Sequence, residues 1–193
     1  MAFINIGCSA QKTSTQNTLQ DNIKSVGSQA PIEDEELQKL QSENDLVIAY
    51  AVENFAWARS IDYKIIAQKN NEWKGYRYHK NLMANDVASP TTFNAVPVNK
   101  SACDELLSYI TEKNAWTIKG DNGSNFCTNG AKQCNINDAP GARLWLITKD
   151  AVVNPSYYAP EFYERCCHDE QRSLFLSITQ KIATIVGNKN AEQ

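Results

Sequence analysis

Little in this chain advertises a reaction. It has two histidines, His79 and His168, two methionines and no CxxC pair, so the close ligand spacing of a zinc site is missing. It also lacks a GxSxG elbow, a GxGxxG turn, a Walker loop and an HExxH helix. Nothing therefore names a hydrolase, a dinucleotide enzyme, a nucleotidase or a zincin. Lysines and arginines never run together and the formal net charge is -3, which leaves no basic surface for nucleic acid or for an anionic membrane. The longest apolar run, Leu46 to Val52, falls far short of the roughly 20 residues that span a bilayer.

What is present suits one globular domain. The chain has 193 residues, 42% hydrophobic and 21% charged, enough to bury a core without a stabilising metal. Six cysteines are more than a reducing compartment usually leaves in a domain of this size, so they read as disulfides and as a sign of export. Cys127 and Cys134 flank a polar loop and read as its staple. Cys166 and Cys167 are adjacent, and Cys103, on the inward face of a helix, is the expected partner of Cys166 or Cys167, with that choice open.

The first residues, Met1-Ala-Phe-Ile-Asn-Ile-Gly-Cys8-Ser9, resemble the end of a bacterial lipoprotein signal. Ile6, Gly7 and Cys8 match the positions nearest cleavage, while Asn5 stands where that family usually has leucine. The resemblance implies a lipid on Cys8, an envelope location and, with Ser9 rather than Asp next, sorting to the outer membrane. The membrane partner would then be reached through the lipid alone. From Ser9 to Pro31 the polar composition predicts a disordered tether.

A single α+β domain is expected over residues 32–187, followed by a frayed tail at 188–193. Its fold should be an antiparallel sheet of about five strands packed on one face by two helices. Pro31 to Glu43 predicts a short helix. Leu46, Ile48, Tyr50 and Val52 alternate with Val47, Ala49 and Ala51, a strand apolar on both faces and hence central. Ile61–Gln68 and Glu72–Tyr78 read as a hairpin turning at Asn70-Asn71. Leu82 to Asn99 reads as irregular, with Pro90 and Pro97 limiting regular structure. Ser101 reads as a helix N-cap, with Cys103, either Leu106 or Leu107, and Ile110 on one face. Ala115–Lys119 and Arg143–Lys149 read as strands. Leu174, Phe175, Ile178, Ile182 and Ile185 form the stripe of a last helix from about Glu170 to Val186.

Candidate sites are few. The aromatic strand residues Trp73, Tyr76 and Tyr78 offer a possible ligand face, although such residues more often wall a core. Cys167 beside His168 and Asp169 has the residue types of a thiol nucleophile and its base, but neighbouring side chains usually diverge. Glu53, Asp62 and Glu72 lie near aromatics, as paired acids do in glycoside-cleaving sites. Asp121 to Asn125 has oxygen ligands without the spacing of a calcium loop and reads as a turn. No cofactor or metal is expected. The leading reading is a non-catalytic envelope domain that binds an unknown protein or small molecule; the rivals are an exported hydrolase and a purely structural component.

Overall fold

The computed structural model describes residues 19–28, 32–55, 59–83, 90–121, 127 and 134–187. Cys8 and the tail 188–193 lie outside them. The architecture is α+β, with one antiparallel sheet and five helices among the described residues. In chain order these are α1 (residues 19–26), α2 (Glu35–Glu43), β1 (Leu46–Asn54), β2 (Ser60–Lys69), β3 (Glu72–Asn81), β4 (Thr92–Val96) and α3 (Lys100–Glu112). A 3-10 turn at Ala115–Thr117 follows, then β5 (Gly141–Thr148), β6 (Val152–Val153), β7 (Ser156–Tyr158), α4 (Pro160–Cys166) and α5 (Glu170–Gly187). The strand order is β4-β3-β2-β1-β5-β6, with β7 also paired to β5.

The doubly apolar strand is indeed central: β1 pairs with β2 on one side and β5 on the other. Leu46 and Ile48 face α3 and α5, whose Leu106, Ile110, Phe175, Ile178 and Ile182 fill the larger core. Val47, Ala49 and Ala51 face the other way, with Tyr63, Ile65, Ala67 and Ile147, and meet Leu37 and Leu40 of α2. The hairpin turns where expected, with Asn70 and Asn71 at φ 51° and 66°, a left-handed pair that asparagine tolerates.

Several expectations give way. The sheet has seven strands rather than about five, and helices cover both faces: α2 lies opposite α3 and α5. The tether expected from Ser9 to Pro31 gives way over residues 19–26, where Leu19 and Ile23 lie one helical turn apart and are both fully buried in the larger core; residues 9–18 lie outside the described residues. Residues read as irregular contain β4, an edge strand on β3 whose flanking prolines sit outside its ladder. Ala115–Lys119 begins as a 3-10 turn instead of a strand, launched by Asn114 in the left-handed region at φ 52°. Helix α3 is capped by Asn99, whose side chain accepts from the Ala102 N–H at 3.1 Å, while Ser101 lies inside the helix and donates to Glu105. Asp34 caps α2 in the same way, and its second oxygen takes the Tyr78 hydroxyl at 3.3 Å and Lys80 Nζ at 2.7 Å.

Candidate functional site

At its C-terminal end, β1 delivers Glu53 and then Phe55, which is 59% exposed. These two residues, with Asp121, Asp138, Gly141, Ser156 and Tyr158, line a cleft of about 420 Å³. Register explains the floor: Glu53 pairs with Gly141 across β1 and β5, and Gly141 pairs with Tyr158 of β7. Gly141 places no side chain over the Glu53 carboxylate. Arg143, two residues along β5, donates from Nε to Glu53 Oε1 at 2.7 Å, and the Glu53 side chain is only 12% exposed.

The walls come from the two ends of the long polar loop. Gly120 crosses β7 so closely that a Cβ there would lie 2.5 Å from the Ser156 carbonyl oxygen, and its φ of +76° excludes most other residues. Next to it, Asp121 donates its N–H to Ser156 O at 3.0 Å and accepts the Tyr158 N–H on Oδ2 at 2.8 Å. The Tyr158 hydroxyl accepts from the Ala139 N–H at 3.1 Å and donates to Ile136 O at 3.2 Å, which ties the returning end of the loop to β7. Burial pushes the neighbouring Tyr157 hydroxyl up to about 12, so it stays neutral. Three carboxylates and no lysine or arginine therefore line the cleft among the described residues, and Arg143 pairs with Glu53. Such a lining attracts a cation.

The middle of the loop is fastened by covalent bonds. Cys127 bonds Cys167 and Cys134 bonds Cys166, with Cα–Cα distances of 5.6 Å and 6.4 Å. The expected Cys127–Cys134 staple does not form; the vicinal cysteines at the end of α4 take one loop cysteine each. Cys166 is the last residue of α4 and Cys167 is extended (φ -147°, ψ 108°), so both can address the same loop. Cys103 is bonded to neither: it is buried and free in the larger core, and burial raises its thiol to about 12. The two disulfides suit an oxidising, non-cytoplasmic compartment. No described helix is long and apolar enough to cross a membrane.

The other candidates disperse. In its disulfide Cys167 has no thiolate to offer as a nucleophile. His168 is 71% exposed, and both Glu164 (2.6 Å) and Ser173 (3.3 Å) reach the same nitrogen, Nδ1, whereas a relay needs acid and nucleophile on opposite nitrogens. Glu53 and Asp62 occupy opposite faces of the sheet, since Asp62 pairs with Val52 and Glu53 with Ile61. Glu72 sits at the hairpin tip, opposite Lys69. The possible ligand face also divides. Trp73 packs on the α3 side and donates to Asp104 at 3.0 Å, while Tyr76 and Tyr78 lie on the α2 side. There Tyr78 stacks on Tyr63 at 5.0 Å and Tyr76 meets Phe93 at 5.0 Å, as parts of a core wall.

Sequence reasoning noticed Glu53 and Asp121 singly but missed Asp138, Gly141 and Tyr158. The usable signal was Gly120 and Gly141 bracketing the cysteine loop, which must return to its origin if its ends join neighbouring strands. No protein-family model matches the chain, and no curated protein matches it either.

Proposed function

We propose that this chain is an exported cell-envelope protein, anchored in the outer membrane by lipid on Cys8, whose domain binds a cationic ligand without catalysis. The observation that carries the binding reading is the cleft itself: Glu53, Asp121 and Asp138 beside an exposed Phe55, with walls held by two disulfides. Carboxylates supply attraction to an ammonium or guanidinium group, and the phenyl ring supplies apolar and cation–π contact for its stem. Export is supported by the disulfides, and the anchor by the lipobox-like Ile6-Gly7-Cys8 with Ser9 after it.

Titration calorimetry and thermal shift with tetralysine, spermidine, tetraglutamate and a neutral chitin tetramer test the reading. The two cations should raise Tm and bind less tightly as salt rises, and Asp121→Asn with Asp138→Asn should weaken them about tenfold or more. A shift with the neutral sugar alone, or cation binding indifferent to those substitutions, would remove the cleft from the account. No shift with any probe favours a structural envelope component.

A further inference from the structure

Sequence spacing argues against a metal site, yet the fold gathers what the spacing lacks. The Sγ atoms of Cys127, Cys134 and Cys166 all lie within 4.8 Å of one another, and Cys167 joins them through its bond to Cys127. A tetrahedral zinc site has Zn–S distances of about 2.3 Å, which puts neighbouring sulfurs roughly 3.8 Å apart. On reduction the bonded sulfurs would part by roughly 2 Å, and sulfurs of different pairs would close by about an ångström, to reach that spacing. The three cysteines are half-buried, so an ion can enter.

A second observation concerns charge. Arg172 is 3% exposed, and its guanidinium reaches Cys167 Sγ at 3.7 Å as well as the Cys167 carbonyl oxygen. Glu164 Oε2 receives the same guanidinium through Nε at 3.1 Å. A buried cation beside sulfur stabilises thiolate and serves as an outer partner for a metal-bound one. Four thiolates around Zn²⁺ carry two surplus negative charges, and Arg172 stands where it would offset part of them.

We propose that this cysteine junction is a redox-gated zinc site: two disulfides when oxidised, one Zn²⁺ held by Cys127, Cys134, Cys166 and Cys167 when reduced. Each disulfide takes two electrons and two protons from one dithiol reductant, which itself becomes a disulfide, so two such molecules yield four thiols. Zinc then displaces the four thiol protons and forms four Zn–S bonds. A disulfide-bearing oxidant reverses the sequence, taking four electrons in two exchanges and releasing the ion. Zinc is favoured over harder cations because a four-sulfur tetrahedral set selects it.

The test uses the full chain, reduced under anaerobic conditions with a phosphine and freed of reductant. Cobalt(II) serves as the optical probe and zinc as its competitor. The reduced chain should take up one Co²⁺ with thiolate-to-cobalt charge transfer and the intense visible bands of a tetrahedral site, and one equivalent of Zn²⁺ should displace it. The disulfide form should take up none. Cys134→Ser with Cys166→Ser should abolish the spectrum, Arg172→Gln should weaken affinity about 10- to 100-fold, and Cys103→Ala should leave it unchanged. Alkylation read by peptide mass keeps the test decisive even if a variant or the reduced loop unfolds: zinc should protect those four cysteines, and all four should be alkylated when zinc is left out. Absence of a tetrahedral cobalt spectrum together with no zinc protection would overturn the proposal, as would a spectrum that survives the double substitution.

Discussion

On the α3–α5 side of the sheet, Phe175, Ile178, Ile182, Leu144 and Leu146 are all fully buried, and apolar contact alone explains their arrangement. At the cleft end the loop between Gly120 and Gly141 reaches the domain through Tyr158, Asp121 and two disulfides instead. The first region is held by a force that needs no special condition. The second depends on redox state and pH. A binding cleft built from the conditional region can change shape while the core beneath it stays folded.

That contrast can be broken by substitution. The largest expected effect is in the core: Phe175→Ala should cost about 3–5 kcal/mol in urea unfolding, and by the same amount whether or not the disulfides are intact. A loss that depends on reduction would mean that the two regions are mechanically linked. Next comes removal of one staple. Cys134→Ser with Cys166→Ser should cost about 2–4 kcal/mol, through the chain entropy regained by the unfolded state. Hydrogen exchange should then show lost protection at Ala139 and Tyr158 but not at Leu144 or Leu146. Uniform loss across the sheet would contradict a separable cleft.

A smaller effect lies at the far hairpin, where Asn71→Ala should cost about 1–2 kcal/mol because alanine resists a φ of 66°, while Asn71→Gly should be tolerated. Cation binding should be indifferent to both.

The smallest effect is present near neutrality and is lost in acid. Burial on its own would raise Glu164, but hydrogen bonds from Ser173, the Asp169 N–H, His168 and Arg172 together hold its carboxyl below the ordinary 4.5. A depressed carboxylate stabilises the fold above its unfolded pKa and loses that contribution as pH falls through the lower folded value. Glu164→Gln should therefore be less stable than the parent near neutrality, and the gap should close below about pH 4.5. A constant gap across that range would show that the carboxylate charge contributes nothing at the junction.

The sequence disclosed those elements whose own pattern matches a structural period. Two-residue alternation gave β1, Asn70-Asn71 gave the hairpin, and the stripe through Phe175 and Ile182 gave α5. Helix α1 escaped notice because Leu19 and Ile23 sit in a polar composition that hides a two-residue stripe. Strand β4 escaped because it is short and lies between prolines. The disulfides were misassigned for a different reason. Cys127 and Cys134 are near in sequence, but their partners are 40 and 32 residues away and are set by the fold. The cleft was illegible for the same reason: Glu53, Asp121, Asp138 and Tyr158 come from four separate segments.

The most direct measurement is non-reducing peptide mass spectrometry on protein taken from its native cells, with fragmentation that distinguishes Cys166 from Cys167. The account predicts Cys127–Cys167 and Cys134–Cys166 links, a free Cys103 and an N-terminal Cys8 carrying lipid. Free thiols at Cys127, Cys134, Cys166 and Cys167, together with an unmodified Met1, would contradict an exported protein with a stapled cleft.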